Sequence, residues 1–317
     1  DGILGFHIMK RYRDYNTYLR EIFGERVQKI SLDAGLGCPN RDGTISRTGC
    51  IFCDSRGSGN GAMINRHLSI DDQITEGQRF AEKRYKARKF IAYFQSFTNT
   101  YGPLPLLRDL YTRAINHRGV VGLSIGTRPD CVDEDILGLI GSFTQDYLVW
   151  IEFGLQSAHD VTLSRINRGH NVACFEKSVI MASDHGLNVC AHVIIGLPGE
   201  DREMVMDTAR FISRLPIGGV KIHSLYVTRG TPLAALHKKG EHRCLTRNEY
   251  VERLVDFLEL LPPQIVIQRL TGDPIREELI APQWTLEKME NIAFINRRLE
   301  ERDTWQGKKY AASIAVK

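Results

Sequence analysis

The stretch KISLDAGLGCPNRDGTISRTGCIFC, residues 29–53, joins a short strand-like run to a loop that carries Cys38, Cys50 and Cys53. Outward from it, five further runs at 90–94, 121–125, 148–153, 188–195 and 220–226 are rich in Val, Ile and Phe and suit strands buried on both faces. The intervals between them are long enough for crossover helices. Asp133 is placed to cap one, with Ile136, Leu137 and Ile140 on a single stripe, and a second is expected from Glu203 to Leu215, stopped by Pro216. Six strand–helix units with right-handed crossovers make an α/β fold, a partial (β/α)6 TIM-type barrel.

After Thr231 the alternation is lost. Thr246, three residues before Glu249, predicts a capping box that opens a helix with Tyr250, Val251, Leu254, Val255 and Leu258 on its apolar face, ended by Pro262 and Pro263. A short strand at 265–270 and a last helix, capped at Thr285 and running through Met289, Ile292, Ile295 and Leu299, complete a helix-rich C-terminal extension. The expected division is a basic helical N-terminal extension over 1–28, the barrel over 29–230 and an accessory region over 231–317.

With 317 residues, 42% hydrophobic and 25% charged, the chain has the balance of a soluble protein able to bury a large core. No run of eighteen apolar residues occurs, and residues 1–13 are polar and basic, so the expected location is the cytoplasm, with no membrane partner. Seven cysteines are an odd number and read as thiols, not as a disulfide framework. A net charge of +4 does not announce nucleic-acid binding. Three local clusters, Lys10, Arg11 and Arg13, then Lys83 to Lys89, then Arg297, Arg298, Lys308 and Lys309, read either as solvated helix faces or as an RNA-contacting surface. The run Gly57 to Gly61 lacks the Lys-Ser/Thr of a phosphate loop and reads as a turn.

Eleven residues separate the first two cysteines of the loop and two separate the last pair. Two intervening residues let both thiolates face one metal centre, and the longer arm brings in a third. A 4Fe-4S cluster held by three cysteines keeps one iron open, as a catalytic site requires. The alternative is a zinc knuckle with His67 as fourth ligand. The position of the loop, after the first strand and hence at the catalytic end of a barrel, argues against zinc. Cys131, just beyond a strand end, is a candidate thiol; Cys174, Cys190 and Cys244 read as small buried hydrophobes.

A cysteine loop after the first strand, with Phe52 just before the last cysteine, resembles the radical S-adenosylmethionine (SAM) superfamily. The segments 152–157 (EFGLQS) and 166–170 (INRGH) resemble those of the Elongator catalytic subunit and the oxygen-independent coproporphyrinogen oxidase branch, as do 195–200 (IGLPGE) and 125–130 (IGTRPD). Most of the superfamily has three residues between the first two cysteines. The run 33–43 (DAGLGCPNRDG), with 97–101 (FTNTY) and 269–273 (RLTGD), resembles the YtqA/YhcC subfamily, where a long arm is usual.

The resemblance implies a site and an activity. SAM would chelate the open iron and be cleaved by one electron, from a flavodoxin- or ferredoxin-like donor, to methionine and a 5′-deoxyadenosyl radical. Arg168 and Gln156 would hold the SAM carboxylate, Glu152 a ribose hydroxyl, and the backbone at Phe52 and Gly196 the adenine. His192 is either a ribose contact or a satisfied core histidine. Thr98 and Asn99 stand where many relatives carry a motif that meets the SAM amino group. The implied substrate is tRNA, at the side chain of a wobble uridine. The alternatives are a small metabolite or protein substrate, or, for a non-enzyme, a zinc-stabilised RNA-binding module.

Overall fold

The computed structural model describes residues 10–57 and 68–310. His67, Ser58 to Gly61 and residues 1–9 of the expected N-terminal extension lie outside them. In chain order the elements are α1 (Tyr15–Phe23), β1 (Val27–Leu32), α2 (Ile70–Tyr85), β2 (Lys89–Phe94), α3 (Leu104–Ile115), β3 (Val120–Thr127), α4 (Glu134–Gly141), β4 (Leu148–Gln156), α5 (Asp160–Arg165) and α6 (Val172–Asp184). They continue with β5 (Asn188–Ile195), α7 (Arg202–Ile212), β6 (Gly219–Ser224), β7 (Val227–Thr228), α8 (Pro232–Lys238), α9 (Arg247–Leu260), β8 (Val266–Arg269), β9 (Leu279–Ala281) and α10 (Lys288–Glu301).

All six expected strands form, in sequence order and all parallel, and β8 adds a seventh beside β6. The sheet therefore runs past Thr231, and α9 is the crossover that carries the chain from β6 to β8. Crossovers cover the outer face with Ile74, Leu107, Leu137, Phe175, Val205 and Leu254, all under 3% exposed and joined in one core with the strand residues. Helices and a curved parallel sheet bury each other's apolar faces, and the same right-handed step repeats until the sheet is a half-barrel.

The helix boundaries follow local chemistry. Asp133 caps α4 by accepting from Ile136 N–H, and Thr246 and Glu249 make the reciprocal capping box of α9. The helix expected from Glu203 begins at Arg202, capped by Asp201, and ends at Ile212. Thr285 is not a cap: its hydroxyl donates to Pro282 O within a short 3₁₀ turn, and α10 starts two residues beyond that turn's Leu286 with no side-chain cap. Met289 points outward and is 80% exposed, so only Ile295 and Leu299 of the expected stripe are fully buried.

Edge strands β1 and β8 do not pair with each other. At their N-terminal ends the gap is filled by the segment before α1, where Ile267 N–H donates to Arg13 O at 2.8 Å. Tyr15 and Tyr18 of α1 pack edge-on against Trp150, closing the floor. At the other end Arg56, just past the cysteine loop, pairs with Glu278 ahead of β9.

Candidate active site

The C-terminal ends of the parallel strands open into one cavity, and Cys38, Cys50 and Cys53 all line it, with Phe52, Gln156 and Arg168. The cysteine loop is held by its own backbone bonds and by two from outside. Arg41 N–H donates to Cys38 O, Gly49 N–H to Asn40 O and Cys53 N–H to Cys50 O, while Ile51 is bonded both to Ile166 O and to Leu233 N–H. Cys50 is nearly closed to solvent, and its Sγ faces Asn40 Nδ2 at 3.6 Å and Arg168 Nη1 at 3.5 Å. N–H donors aimed at a sulfur orient it, as outer partners of a metal ligand do.

Gln156 reaches the cavity through a bulge. β4 loses register against β5 between Gly154 and Gln156, and Gln156 sits at φ +77°, a left-handed conformation costing on the order of 1–3 kcal/mol for a non-glycine residue. The bulge frees Gly154 O, which accepts from Arg168 Nε at 3.2 Å and Nη2 at 2.7 Å. Arg168 is thus clamped between the end of β4 and Cys50. Burial and the neighbouring Arg168 push the His170 imidazole down to about 3, so it is neutral against the same carbonyl.

Glu152 lies below this layer and is fully buried. One oxygen accepts from Lys29 at 2.8 Å and Ser124 at 2.7 Å; the other accepts from His192 at 2.8 Å and from Lys221. These donors crowd the carboxylate that was expected to meet a ribose hydroxyl, which would have to share its acceptors with them. Burial opposes the charge, yet Lys221 and Lys29 hold the carboxyl well below its ordinary value. His192 is pushed down to about 4 by burial and serves Glu152 as a neutral donor.

Gly196 is not among the described residues that line the cavity; at φ +102° it forms the turn behind Leu225 and Leu245. Phe52 packs on the satellite apolar cluster that includes Ile194, Leu197 and Leu225. Thr98 lines the cavity with a buried hydroxyl that has no hydrogen-bond partner among the described residues, and Asn99 spends its amide on Gly126 O at 2.8 Å. Burial raises the Cys131 thiol to about 12, which works against its acting as a thiolate.

Two residues stand out that motif reading alone did not single out. Arg128, 2% exposed, forks onto Asp130 at 2.9 and 2.7 Å, leaving a buried Nη1 with no partner at the wall of the cavity. Asn40 joins the cysteine loop to the Arg168 turn through Asn167 O at 2.7 Å. Both sit inside quoted segments, 125–130 and 33–43, but their roles depend on contacts distant in sequence.

Residues 35–212 match the Radical SAM superfamily, and 217–301 match the Radical_SAM C-terminal domain. The protein YtqA of Bacillus subtilis, described as uncharacterized, is 41% identical over 299 residues, 94% of this chain and 92% of YtqA. Elongator complex protein 3 of Schizosaccharomyces pombe is 31% identical over 157 residues, 48% of this chain and 28% of that protein. The structure of archaeal Methanocaldococcus infernus Elp3 with an N-terminal deletion superposes with a TM-score of 0.67 at 18% identity, over 88% of this chain and 64% of that one, and so shows a shared fold over less than two thirds of its length. The match across 35–212 and the relative covered almost end to end place the chain in the radical SAM superfamily.

Proposed function

We propose that this chain reductively cleaves SAM at one 4Fe-4S cluster ligated by Cys38, Cys50 and Cys53, in order to take a hydrogen atom from a substrate held in the barrel. When bound, the cluster and SAM supply an electron and a 5′-deoxyadenosyl radical. The observation that carries this reading is the meeting, around one cavity, of three thiols with two buried polar atoms that lack partners, Arg128 Nη1 and Thr98 Oγ1. A buried guanidinium edge suits the SAM carboxylate and a buried hydroxyl suits its amino group. Arg168 and Gln156 complete that end, and Phe52 with Ile194 and Leu225 forms an apolar slot for adenine beside the Gly196 turn. The electron is expected from a flavodoxin- or ferredoxin-like donor.

A zinc module would gather its ligands on one ion. The fourth ligand of that reading, His67, lies outside the described residues. An iron–sulfur cubane accepts thiolates that stand apart around it. Anaerobic reconstitution of the wild type should give a brown, reducible cluster that turns SAM into 5′-deoxyadenosine, and Cys53→Ala should lose both. A colourless zinc protein, or full cleavage in the variant, would overturn the ligand set.

For the substrate, tRNA modification at a wobble uridine draws its support from the similarity to Elongator complex protein 3. Surface charge adds little to it. Lys10, Arg11, Arg13, Arg298 and Lys309 are ion-paired with acidic neighbours, and the cluster from Lys83 to Lys89 lies where α2 turns into β2, at the end of the sheet away from the cysteines. Comparing tRNA nucleosides from cells with and without the gene tests it, and an unchanged profile removes it. A small metabolite within the barrel is the second reading, favoured by Arg269, which lines the cavity and forms no ion pair with any described residue.

A further inference from the structure

We infer that the wall formed by β6 and β8 carries a subsite for an anionic group, a carboxylate or phosphate of a small substrate, centred on Arg269 with His223 and Lys221 beside it. This rests on the reading of the cavity as a SAM-cleaving site, for which it supplies the substrate class.

Parallel pairing sets Arg269 on β8 directly beside Lys221 on β6, and His223, two residues further along β6, falls on the same face one layer nearer the cysteines. All three line the cavity. The Arg269 guanidinium makes no hydrogen bond or ion pair with any described residue. Its charge reaches Tyr93, His192, Lys221 and His223.

The cavity is unbalanced in charge. Glu152 is the only carboxylate among the described residues lining it, and Lys29 and Lys221 already face it. Arg41, Arg168 and Arg269 line it without a carboxylate partner, but Arg41 bonds Cys53 O and Arg168 bonds Gly154 O, whereas Arg269 has no hydrogen-bond partner among the described residues. Lodged in a low-dielectric wall, such a charge is costly until an anion joins it. His223 points to the same guest: its Nε2 is shut off from solvent with no partner. Burial, together with Arg269, keeps this imidazole neutral, so it carries one N–H to donate. A guanidinium fork with a neutral imidazole donor next to it is a cradle for oxyanions. The subsite is separate from the SAM end, since Arg128 and Arg168 belong to the β3 and β4 side and Arg269 to the edge strand β8.

The test is calorimetric titration of the reconstituted protein with inorganic phosphate and with succinate, each with and without saturating SAM. At least one probe should bind saturably to the wild type in both conditions, and Arg269→Gln should weaken it roughly tenfold to a hundredfold, the loss of one or two charge-assisted bonds. His223→Gln should weaken it severalfold and serves where Arg269→Gln fails to load its cluster, read from visible absorbance. No saturable binding to the wild type, or equal binding to both variants, overturns the inference. Competition by SAM overturns it too, because the anion would then occupy the SAM carboxylate site. Absence of 5′-deoxyadenosine from the wild type would remove the parent reading while anion binding, measured without SAM, still stood or fell by itself.

Discussion

A Cβ added to Gly154 would stand 2.5 Å from Arg168 Nη2 and 2.6 Å from Gln156 Nε2. Both atoms are the far ends of flexible side chains, so Gly154→Ala should fold, but it must swing aside the two groups proposed to hold SAM. The expected result is near-wild-type circular dichroism with SAM affinity, measured by equilibrium dialysis, reduced at least about tenfold, the equivalent of one displaced charged contact. Gly154 lies within the quoted run 152–157, yet its reason is spatial. The cysteines stood out by their spacing and Gln156 and Arg168 by the resemblance, and the fold brings all five to one cavity. The surroundings of Glu152 were not legible, because the lysines that bond it come from β1 and β6, 123 and 69 residues away along the chain. Arg128 and Arg269 were visible as members of segments, but that Arg128 keeps one Nη1 unbonded beside its Asp130 pair, and that Arg269 pairs with no described residue, are properties of the fold.

Among the elements, α9 shows what periodicity can and cannot give. Its capping box and apolar stripe were written in the sequence, and Thr246 accepts from Glu249 N–H at 3.2 Å as expected. Thr246→Ala should cost about 1 kcal/mol in urea unfolding at neutral pH. The hydrogen bonds from Arg243 and from Thr246 N–H bring the Glu249 carboxyl down to about 2. Its folded value is below its unfolded one, so its contribution is complete above about pH 4.5 and is lost as pH falls toward 2. Accordingly, the stability difference between the wild type and Glu249→Gln, a few tenths of a kcal/mol because the pair is at the surface, should shrink between pH 5 and pH 3. Periodicity could not show that α9 is a crossover. The two prolines end the helix and a short strand follows, as expected, but that this strand joins the sheet beside β6 was not readable, because pairing partners are never local in a parallel sheet.

At the scale of the whole molecule the two ends of the chain work together. Gln306 accepts from Arg13 N–H at 3.0 Å, donates its own N–H to Arg11 O at 2.9 Å and spends its amide on Pro262 O and Ile265 O. This strap ties the floor of the half-barrel. The rim has Arg56 and Glu278, each about one third exposed, so their bond should contribute at most about 1 kcal/mol. Glu278→Gln is therefore expected to lower the melting temperature by less than about 4 °C. It should nonetheless speed removal of iron by an added chelator, because Arg56 follows the cysteine loop by three residues and loses its anchor. An unchanged chelation rate would show that the loop holds itself.

That β1 and β8 do not pair bears on what holds the cavity to its width. In a closed barrel a continuous hydrogen-bonded ladder fixes the bore all the way round. Here the seam between the edge strands is spanned by a few contacts, the Arg13–Ile267 bond at one end and the Arg56–Glu278 pair at the other, so the spacing of the two walls rests on single bonds and not on a ladder.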